Sequence, residues 1–351
     1  MKYSIIVPCY KQEKLVAQAL DSVLCQKCSD WEVLCADDGG PDRTGEVLDE
    51  YVRNHCGDLQ ESHIEQDGET KRLVVGSVPS GGVIKVVHQK NKGMAGARNA
   101  AKALATGEWF IFLDGDDMLA PFAFEVLDKC IDAGPDADLL YGGIVRYNDG
   151  EIPDCQTFDF RVEVQNADGK IPNGIRIGDF QQMVVNRRIC NDIRFVGANW
   201  SEERLFGAKC KARTWKYVHT NATIYCRRVH PGQFTSFAHM TSEECKGYLD
   251  STKEILKVFF ESGRGVESKT TRGLLLVWLE WIPARILTHL DKTDRPSMWK
   301  YWFASLPEMH RYPLSFWMRM VVWLLTHFPY IPFAVVFCFL PHWLKCRGIH
   351  R

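Results

Sequence analysis

With 351 residues, 46% of them apolar and 25% charged, the chain has material for a core domain plus a second, smaller unit, and its composition excludes a disordered or fibrous protein. Its 43 basic side chains against 44 acidic ones argue against nucleic acid as a partner, so any anionic ligand must be held locally. The 13 cysteines are odd in number and scattered, and several sit in strand-like runs where a thiol packs as a small hydrophobe, which favours a reducing compartment over a disulfide framework.

In chain order, Ser4-Ile5-Ile6-Val7 reads as a buried strand. Lys11 and Glu13 follow too soon for a signal peptide, so a cytoplasmic location is expected. Apolar residues at Leu15, Val16, Ala19, Leu20 and Val23 give a helical stripe from Lys14 to Leu24, and Cys25-Gln26-Lys27-Cys28 lacks the second pair a zinc site needs. Trp31 to Ala36 reads as the next strand and Asp42 to Val52 as the next helix, with Asp42 as its cap. Residues 57–82 are polar and glycine-rich, the composition of a surface insertion flexible at least in part. Val83 to Val87 resumes the sheet, Met94 to Leu104 is helical, Trp109 to Leu113 is a strand apolar on both faces, and Asp138 to Tyr141 adds another. Strands alternating with helices predict an α/β fold with a doubly wound, mostly parallel sheet.

Ligands of such sheets bind at the carboxyl ends of the strands. The first strand ends in Pro8-Cys9-Tyr10 with Glu13 beyond, the second in Asp37-Asp38-Gly39-Gly40, and the strand from Trp109 in Asp114-Gly115-Asp116-Asp117. An aromatic ring for a base, a carboxylate to accept from a base N–H and carboxylates for a metal are what a nucleoside diphosphate needs. Each alone also suits a polar loop, and Asp114-x-Asp116 alone is equally a turn with acids. An EF-hand calcium loop fits less well, because Leu119 stands where its turn glycine belongs. No dinucleotide or P-loop fingerprint occurs.

Ser4-Ile5-Ile6-Val7-Pro8-Cys9-Tyr10, Ala36-Asp37-Asp38-Gly39-Gly40-Pro41-Asp42-Arg43-Thr44, Asn91-Lys92-Gly93-Met94-Ala95-Gly96-Ala97-Arg98-Asn99-Ala100 and Phe112-Leu113-Asp114-Gly115-Asp116-Asp117 closely resemble the family 2 glycosyltransferases of the GT-A fold, in order over residues 3 to about 125. The resemblance implies that Pro8, Tyr10, Glu13 and Asp38 hold a uridine, that Arg98 lies near base and phosphates, that Asp114 contacts the ribose, and that Asp116, with Asp114 beside it, reaches a Mg²⁺ or Mn²⁺ on the diphosphate. Lys11 replaces the usual asparagine, Gly40 the usual serine, and residues 57–82 are extra. Asn199-Trp200-Ser201-Glu202-Glu203-Arg204-Leu205-Phe206 reads by composition as a helix start with Ser201 as cap and two acids on its dipole. The family carries Glu-Asp-x-x-Phe here, its second acid serving as base, which implies Glu203 as catalytic base beside Glu202, with Phe206 as anchor. In Tyr225 to Ser236, Arg228 and His230 suit a loop over a pyrophosphate, and equally a solvated basic loop.

The predicted organisation is a catalytic domain over 1–240, with 1–125 as the nucleotide-sugar half and 145–240 as the acceptor half, then a helical extension over 241–311 and an apolar tail over 312–351. Helical apolar faces run over Tyr248 to Phe259 and over Leu274 to Ile282. Met320 to Leu344 carries no Asp, Glu, Lys or Arg, but Pro329, Pro332 and Pro341 interrupt it, so short interfacial helices are favoured over a spanning one, a membrane hairpin comes second and a dimer interface third. Trp317, Trp323, Tyr330 and Trp343 suit the interface, and Lys345, Arg347 and Arg351 anionic headgroups. The resulting expectation is a metal-dependent inverting glycosyltransferase with a UDP-sugar donor and a saccharide or lipid-linked acceptor of surface polysaccharide biosynthesis, peripheral at the inner face of the cell membrane. A nucleotidyltransferase and a non-catalytic, membrane-tethered sugar-nucleotide scaffold are the alternatives.

Overall fold

The computed structural model describes residues 1–155, 160–167, 180–197, 201–230, 241–262, 290, 293–312, 319 and 322–323. The chain divides into two compact units, Met1–Thr235 and Ser236–Arg351. Among the described residues, the first is built on one eleven-stranded sheet. Its centre is parallel, with β1 (Tyr3–Cys9) between β2 (Trp31–Asp37) and β6 (Trp109–Phe112), and with β5 (Val83–His88) outside β2. Helices α1 (Val16–Leu24), α2 (Thr44–His55) and α3 (Gly93–Ala103) connect these strands.

Strand alternation assigns the two faces. Ile5, Val7, Val33, Cys35 and Ile111 pack in one buried cluster with Ala19 and Leu20 of α1, Leu48 of α2, and Phe124 and Leu127 of α4 (Ala123–Ala133). Ile6, Leu34, Ala36, Phe110 and Phe112 pack in another with Ala97, Ala100 and Ala101 of α3. Phe112 there meets Phe180, Phe195 and Phe206 at ring distances of 4.9, 5.4 and 5.2 Å. Truncating a buried aromatic at such a centre costs about 3–5 kcal/mol, so Phe112→Ala is expected to lower the free energy of unfolding by that amount and to move the urea midpoint down by that amount divided by the m-value; an unchanged midpoint would contradict this packing.

The expectation of a mostly parallel sheet holds for the centre and is corrected outside it. Beyond β6 comes β10 (Met183–Asn186), antiparallel to both β6 and β8 (Leu139–Asn148) and followed by the one-turn helix α5 (Arg187–Cys190). Parallel pairing returns between β8 and β11 (Lys216–Val229), and β11 pairs antiparallel with β7 (Met118–Leu119) and β9 (Val162–Asn166). The sheet is therefore mixed, because β10 returns between β6 and β8 with a polarity no local pattern announces. The insertion is corrected too. Residues 57–77 form a hairpin, β3 (Gly57–Gln66) and β4 (Glu69–Ser77), with β4 antiparallel to β5, so they extend the sheet by two strands.

Ser242–Glu261 of the second unit forms helix α7, opened by Thr241 and Glu244 in a reciprocal capping box; of the apolar face expected over Tyr248 to Phe259 it buries Leu249, Ile255, Leu256 and Phe259 and half-buries Tyr248 and Val258. Helix α8 spans Arg295–Ser305. The face expected over 274–282, and the tail over 312–351 except Tyr312, Arg319, Val322 and Trp323, lie outside the described residues. Among the described residues no helix is long and apolar enough to cross a membrane.

Candidate active site

Three neighbouring strand ends build the site. Ile6 accepts from the Leu113 N–H, after which β6 turns away into its acid loop. Backbone groups two residues apart face the same neighbour, so Pro8, which has no N–H to donate, faces the side where β6 has stopped. The proline sits in a central strand at no cost in hydrogen bonds, and the strand ends part there. Tyr10, beyond β1, is exposed, with Lys11 Nζ 5.3 Å over its ring. Lys11 takes a left-handed φ of 55°, a conformation that asparagine adopts more readily than lysine.

Beyond β2, the Asp38 N–H donates to the Cys9 carbonyl at 2.9 Å, and Asp38 Oδ1 accepts from Gln89 Nε2 at 2.7 Å and the Lys92 N–H at 2.8 Å. Burial raises the Asp38 pKa against those hydrogen bonds. Gly39 must be glycine, since its φ is +61° and a Cβ would stand 2.8 Å from the Gln89 carbonyl oxygen. Glu13 accepts from the Arg43 N–H at 3.0 Å, and its own N–H donates to Asp42 at 3.2 Å. Asp42 lies just ahead of α2 and accepts from the Thr44 N–H and hydroxyl.

The acid loop is pinned from β11. Tyr225 and Cys226 lie opposite Leu119 and Met118, which sets the Tyr225 hydroxyl to donate to Asp117 at 2.8 Å while accepting from the Asp114 N–H at 3.1 Å. Three residues along, the Arg228 N–H donates to Asp117 at 2.7 Å, and its guanidinium donates to the Asp116 carbonyl, Asp149 and Gln18 and lies over Tyr147. His230 Nε2 stands 3.0 Å from Asp116 Oδ2. Burial, then the charge of Asp114, raises the pKa of Asp116 and, with Asp116 added, lifts that of Asp117 well above the carboxylate range. Gln12 packs so closely on Gly115 that a Cβ there would meet its Oε1 at 2.1 Å; this buried oxygen has no hydrogen-bond partner among the described residues.

The acids of α6 (Ser201–Arg213) come to the same place through Arg98 of α3. Arg98 is fully buried, its guanidinium 5.4 and 5.6 Å over the rings of Phe180 and Phe195, and Phe206 stacks on Phe195 at 4.1 Å to seat the first turn of α6. Arg98 Nη2 donates to Asp114 at 2.8 Å and Glu203 at 2.5 Å, and Nη1 lies 3.4 Å from Glu202. Arg98 Nε and Glu202 Oε2 have no partner among the described residues. Burial is the main cause holding Glu203 up at about 7, with Asp114 and Glu202 adding to it and Arg98 opposing; burial raises Glu202 as well.

The structure thus brings Asp114, Glu202 and Glu203 onto one guanidinium and Asp116, His230 and Arg228 onto the adjoining loop, with Asp38 at the neighbouring strand end. Asn199, Trp200 and the basic loop past His230 lie outside the described residues. Gln12, Gln181, which donates to Asp114 at 3.4 Å, and Tyr225 had no role in the sequence reading. Only the register of β11 against the two-residue β7 reveals Tyr225.

The family model for glycosyl transferase family 2 matches residues 4–194. The chain belongs to this family. It is 32% identical over 126 residues to the uncharacterized glycosyltransferase EpsJ of Bacillus subtilis, a match spanning 36% of this chain and 29% of EpsJ. TarS 1-349 of S. aureus, solved in complex with UDP-GlcNAc, shares the fold with TM-score 0.60 and 19% identity over 88% of this chain and 80% of that one. The mannosyltransferase PcManGT of Pyrobaculum calidifontis, solved with GDP-Man and Mn2+, aligns with TM-score 0.52 and 14% identity over 92% and 78%. The large mixed sheet of this family 2 chain is therefore a GT-A sheet.

The donor set also fits a divalent cation. Among the described residues no three His, Cys, Asp or Glu side chains converge on a preformed metal cage. Mg²⁺ and Mn²⁺ seldom need one, since a carboxylate or two, waters and substrate phosphates complete their shells. Asp116 and His230, 3.0 Å apart in a hydrogen bond, are a carboxylate and an imidazole, two side chains that would enter such a shell together. The raised carboxylates and the unpartnered Gln12 oxygen are the further signs of a site short of positive charge.

Proposed function

We propose that the chain is an inverting, metal-dependent glycosyltransferase that moves a sugar from a UDP-sugar to a saccharide hydroxyl in polysaccharide biosynthesis. The observation that carries this reading is the bridge of Arg98 between Asp114 and Glu203, which puts the acid loop of a sugar-nucleotide site and a candidate base on one side chain. In this reading Asp38 accepts from the uracil, Tyr10 stacks on it, Pro8 and Glu13 shape the loops around it, Asp114 meets the ribose, and Asp116 with His230 holds the cation. The bound cation supplies positive charge against the departing diphosphate. Arg228, which ties the Asp116 carbonyl and the Asp117 carboxylate of the acid loop to Asp149 and Gln18 outside it, fixes the loop's shape.

Glu203 removes the proton from the acceptor hydroxyl as that oxygen attacks the anomeric carbon from the face opposite UDP. One C–O bond forms, the bond to UDP breaks, the proton rests on Glu203, and the anomeric configuration inverts. Arg98 keeps enough of Glu203 ionised to act, while burial keeps it basic enough to matter. The UDP-GlcNAc bound by TarS supports the choice of nucleotide, and the Mn2+ of PcManGT supports the cation. The apolar composition of the tail supports a lipid-linked acceptor at the inner membrane face; full activity toward such an acceptor in a chain ending near residue 310 would count against that part.

A thermal-shift screen of nucleotide sugars with and without Mn²⁺ tests the reading. At a hundredfold excess over Kd, a ligand of the native state adds about 2.7 kcal/mol, roughly 5–10 °C for a domain of this size. The expected result is that a UDP-sugar raises the Tm only when Mn²⁺ is present. Equal melting with every nucleotide sugar would overturn it.

A further inference from the structure

The hairpin of residues 57–77 brings a buried cation onto Gln89, the side chain that donates to Asp38 just beyond β2. Lys71 of β4 is only 2% exposed. Its ammonium donates to Gln66 Oε1 at 2.6 Å and to Gln89 Oε1 at 2.8 Å. Gln66 is anchored in turn, its Nε2 donating to the Ala100 carbonyl of α3 at 3.0 Å. An ammonium can only donate, so the Gln89 oxygen must face Lys71 and the Gln89 amide N–H must face Asp38. That N–H and the backbone N–H of Lys92 both fall on Asp38 Oδ1, at 2.7 and 2.8 Å. A second tie holds the same arrangement, because Lys92 Nζ pairs with Glu69 at the start of β4 at 2.9 Å.

We propose that Lys71 is a positioning residue for the donor's nucleobase: acting through Gln89, it holds Asp38 as a pure hydrogen-bond acceptor and so selects bases that present a ring N–H over bases that present a ring nitrogen lone pair. This inference rests on the donor reading above and extends it to the inserted hairpin. Uracil offers an N–H at N3 where cytosine offers a lone pair, so an ionised, oriented Asp38 accepts from the first and repels the second. Without Lys71, the Gln66 and Gln89 amide oxygens lose the donor they share, and nothing fixes which end of the Gln89 amide faces Asp38. A Gln89 amide turned end for end presents its oxygen to Asp38, which then needs a proton to donate, and a donating carboxyl suits cytosine.

The test is calorimetric titration of the full chain with UDP and with CDP in the presence of Mn²⁺. Wild-type protein is expected to prefer UDP, and Lys71→Met to weaken UDP binding about tenfold with CDP binding held or improved, so that the preference falls at least tenfold. Arg194→Ala removes a tether at the hairpin tip, the 3.2 Å pair with Asp67, without facing Asp38, and is expected to keep the wild-type preference. Should Lys71→Met not fold, Gln89→Met cuts the same relay at its other end and must lower the preference as much. A wild-type preference kept in both relay variants, or an equal loss in Arg194→Ala, would overturn this inference alone. Wild-type protein that binds UDP and CDP alike would overturn the donor reading and this inference with it.

Discussion

Replacing Glu203 by Gln is expected to cut turnover on the order of 10²–10⁴-fold, the usual contribution of a positioned general base, while UDP and Mn²⁺ still bind. The two side chains have the same shape, and the amide oxygen can still accept from Arg98, which also keeps Asp114 and Glu202. What disappears is an acceptor for the hydroxyl proton. The pH dependence checks the assignment independently. Burial holds the Glu203 carboxyl at about 7 against an ordinary 4.5, so the low-pH limb of kcat/KM is expected to rise through roughly that value in wild type and to be absent in the variant. Stability runs the other way. A raised acid stabilises the fold fully below its unfolded value of 4.5 and loses that contribution as the pH climbs through about 7, so Glu203 works in the range where it costs stability. Unchanged turnover would remove Glu203 as base, and loss of UDP binding along with turnover would make it a structural partner of Arg98. A chain that binds UDP and Mn²⁺ but turns over nothing even with Glu203 intact would be the scaffold.

How much of this was legible beforehand follows from where each residue draws its support. Ile5 and Ile6, Val33 and Leu34, Phe110 and Ile111 are buried on opposite faces of strands, which leaves a continuous apolar run in the sequence, and the acids at their ends follow directly. Strand β3 has no such signal. Its residues from Gly57 to His63 are exposed, it pairs with β4 alone, and Asp58, Glu61 and Glu65 read as loop composition. Lys71 looks like one more surface lysine until the hairpin closes over it. Strand β7 is two residues long, so nothing in Met118-Leu119 shows that it will align Tyr225 and Arg228 against the acid loop. Glu202 and Glu203 sit in the first turn of a helix, where acids are ordinary. Only the tertiary placement of Arg98, with Phe180, Phe195 and Phe206 around it, separates them from dipole partners.

For Asp116→Asn the expected result has opposite signs in two measurements. Activity with a UDP-sugar and Mn²⁺ is expected to fall on the order of 10³-fold or more, because a cation that stabilises a departing diphosphate is worth several kcal/mol of transition-state energy and each 1.36 kcal/mol is a factor of ten. Donor binding is expected to lose its dependence on Mn²⁺. The melting temperature of the ligand-free protein is expected to rise. Asp116 is buried beside Asp114, and both burial and that neighbouring charge push its pKa up, which means that the folded chain resists its ionised form at neutral pH; a neutral amide of the same shape relieves this. The amide oxygen still accepts from His230, now as a neutral acceptor. A residue kept solely to hold the loop together would lower stability when replaced, so a drop in melting temperature together with intact Mn²⁺ dependence would refute the metal assignment. Asp117 supplies the contrast. It is buried and raised as well, but each of its oxygens already accepts from a protein donor, Oδ2 from the Tyr225 hydroxyl and Oδ1 from the Arg228 N–H, so it offers a cation less room than Asp116 does. The division follows from register: β11 brings its own donors to Asp117 and leaves Asp116 facing the His230 imidazole, a side chain that can also bind a metal ion.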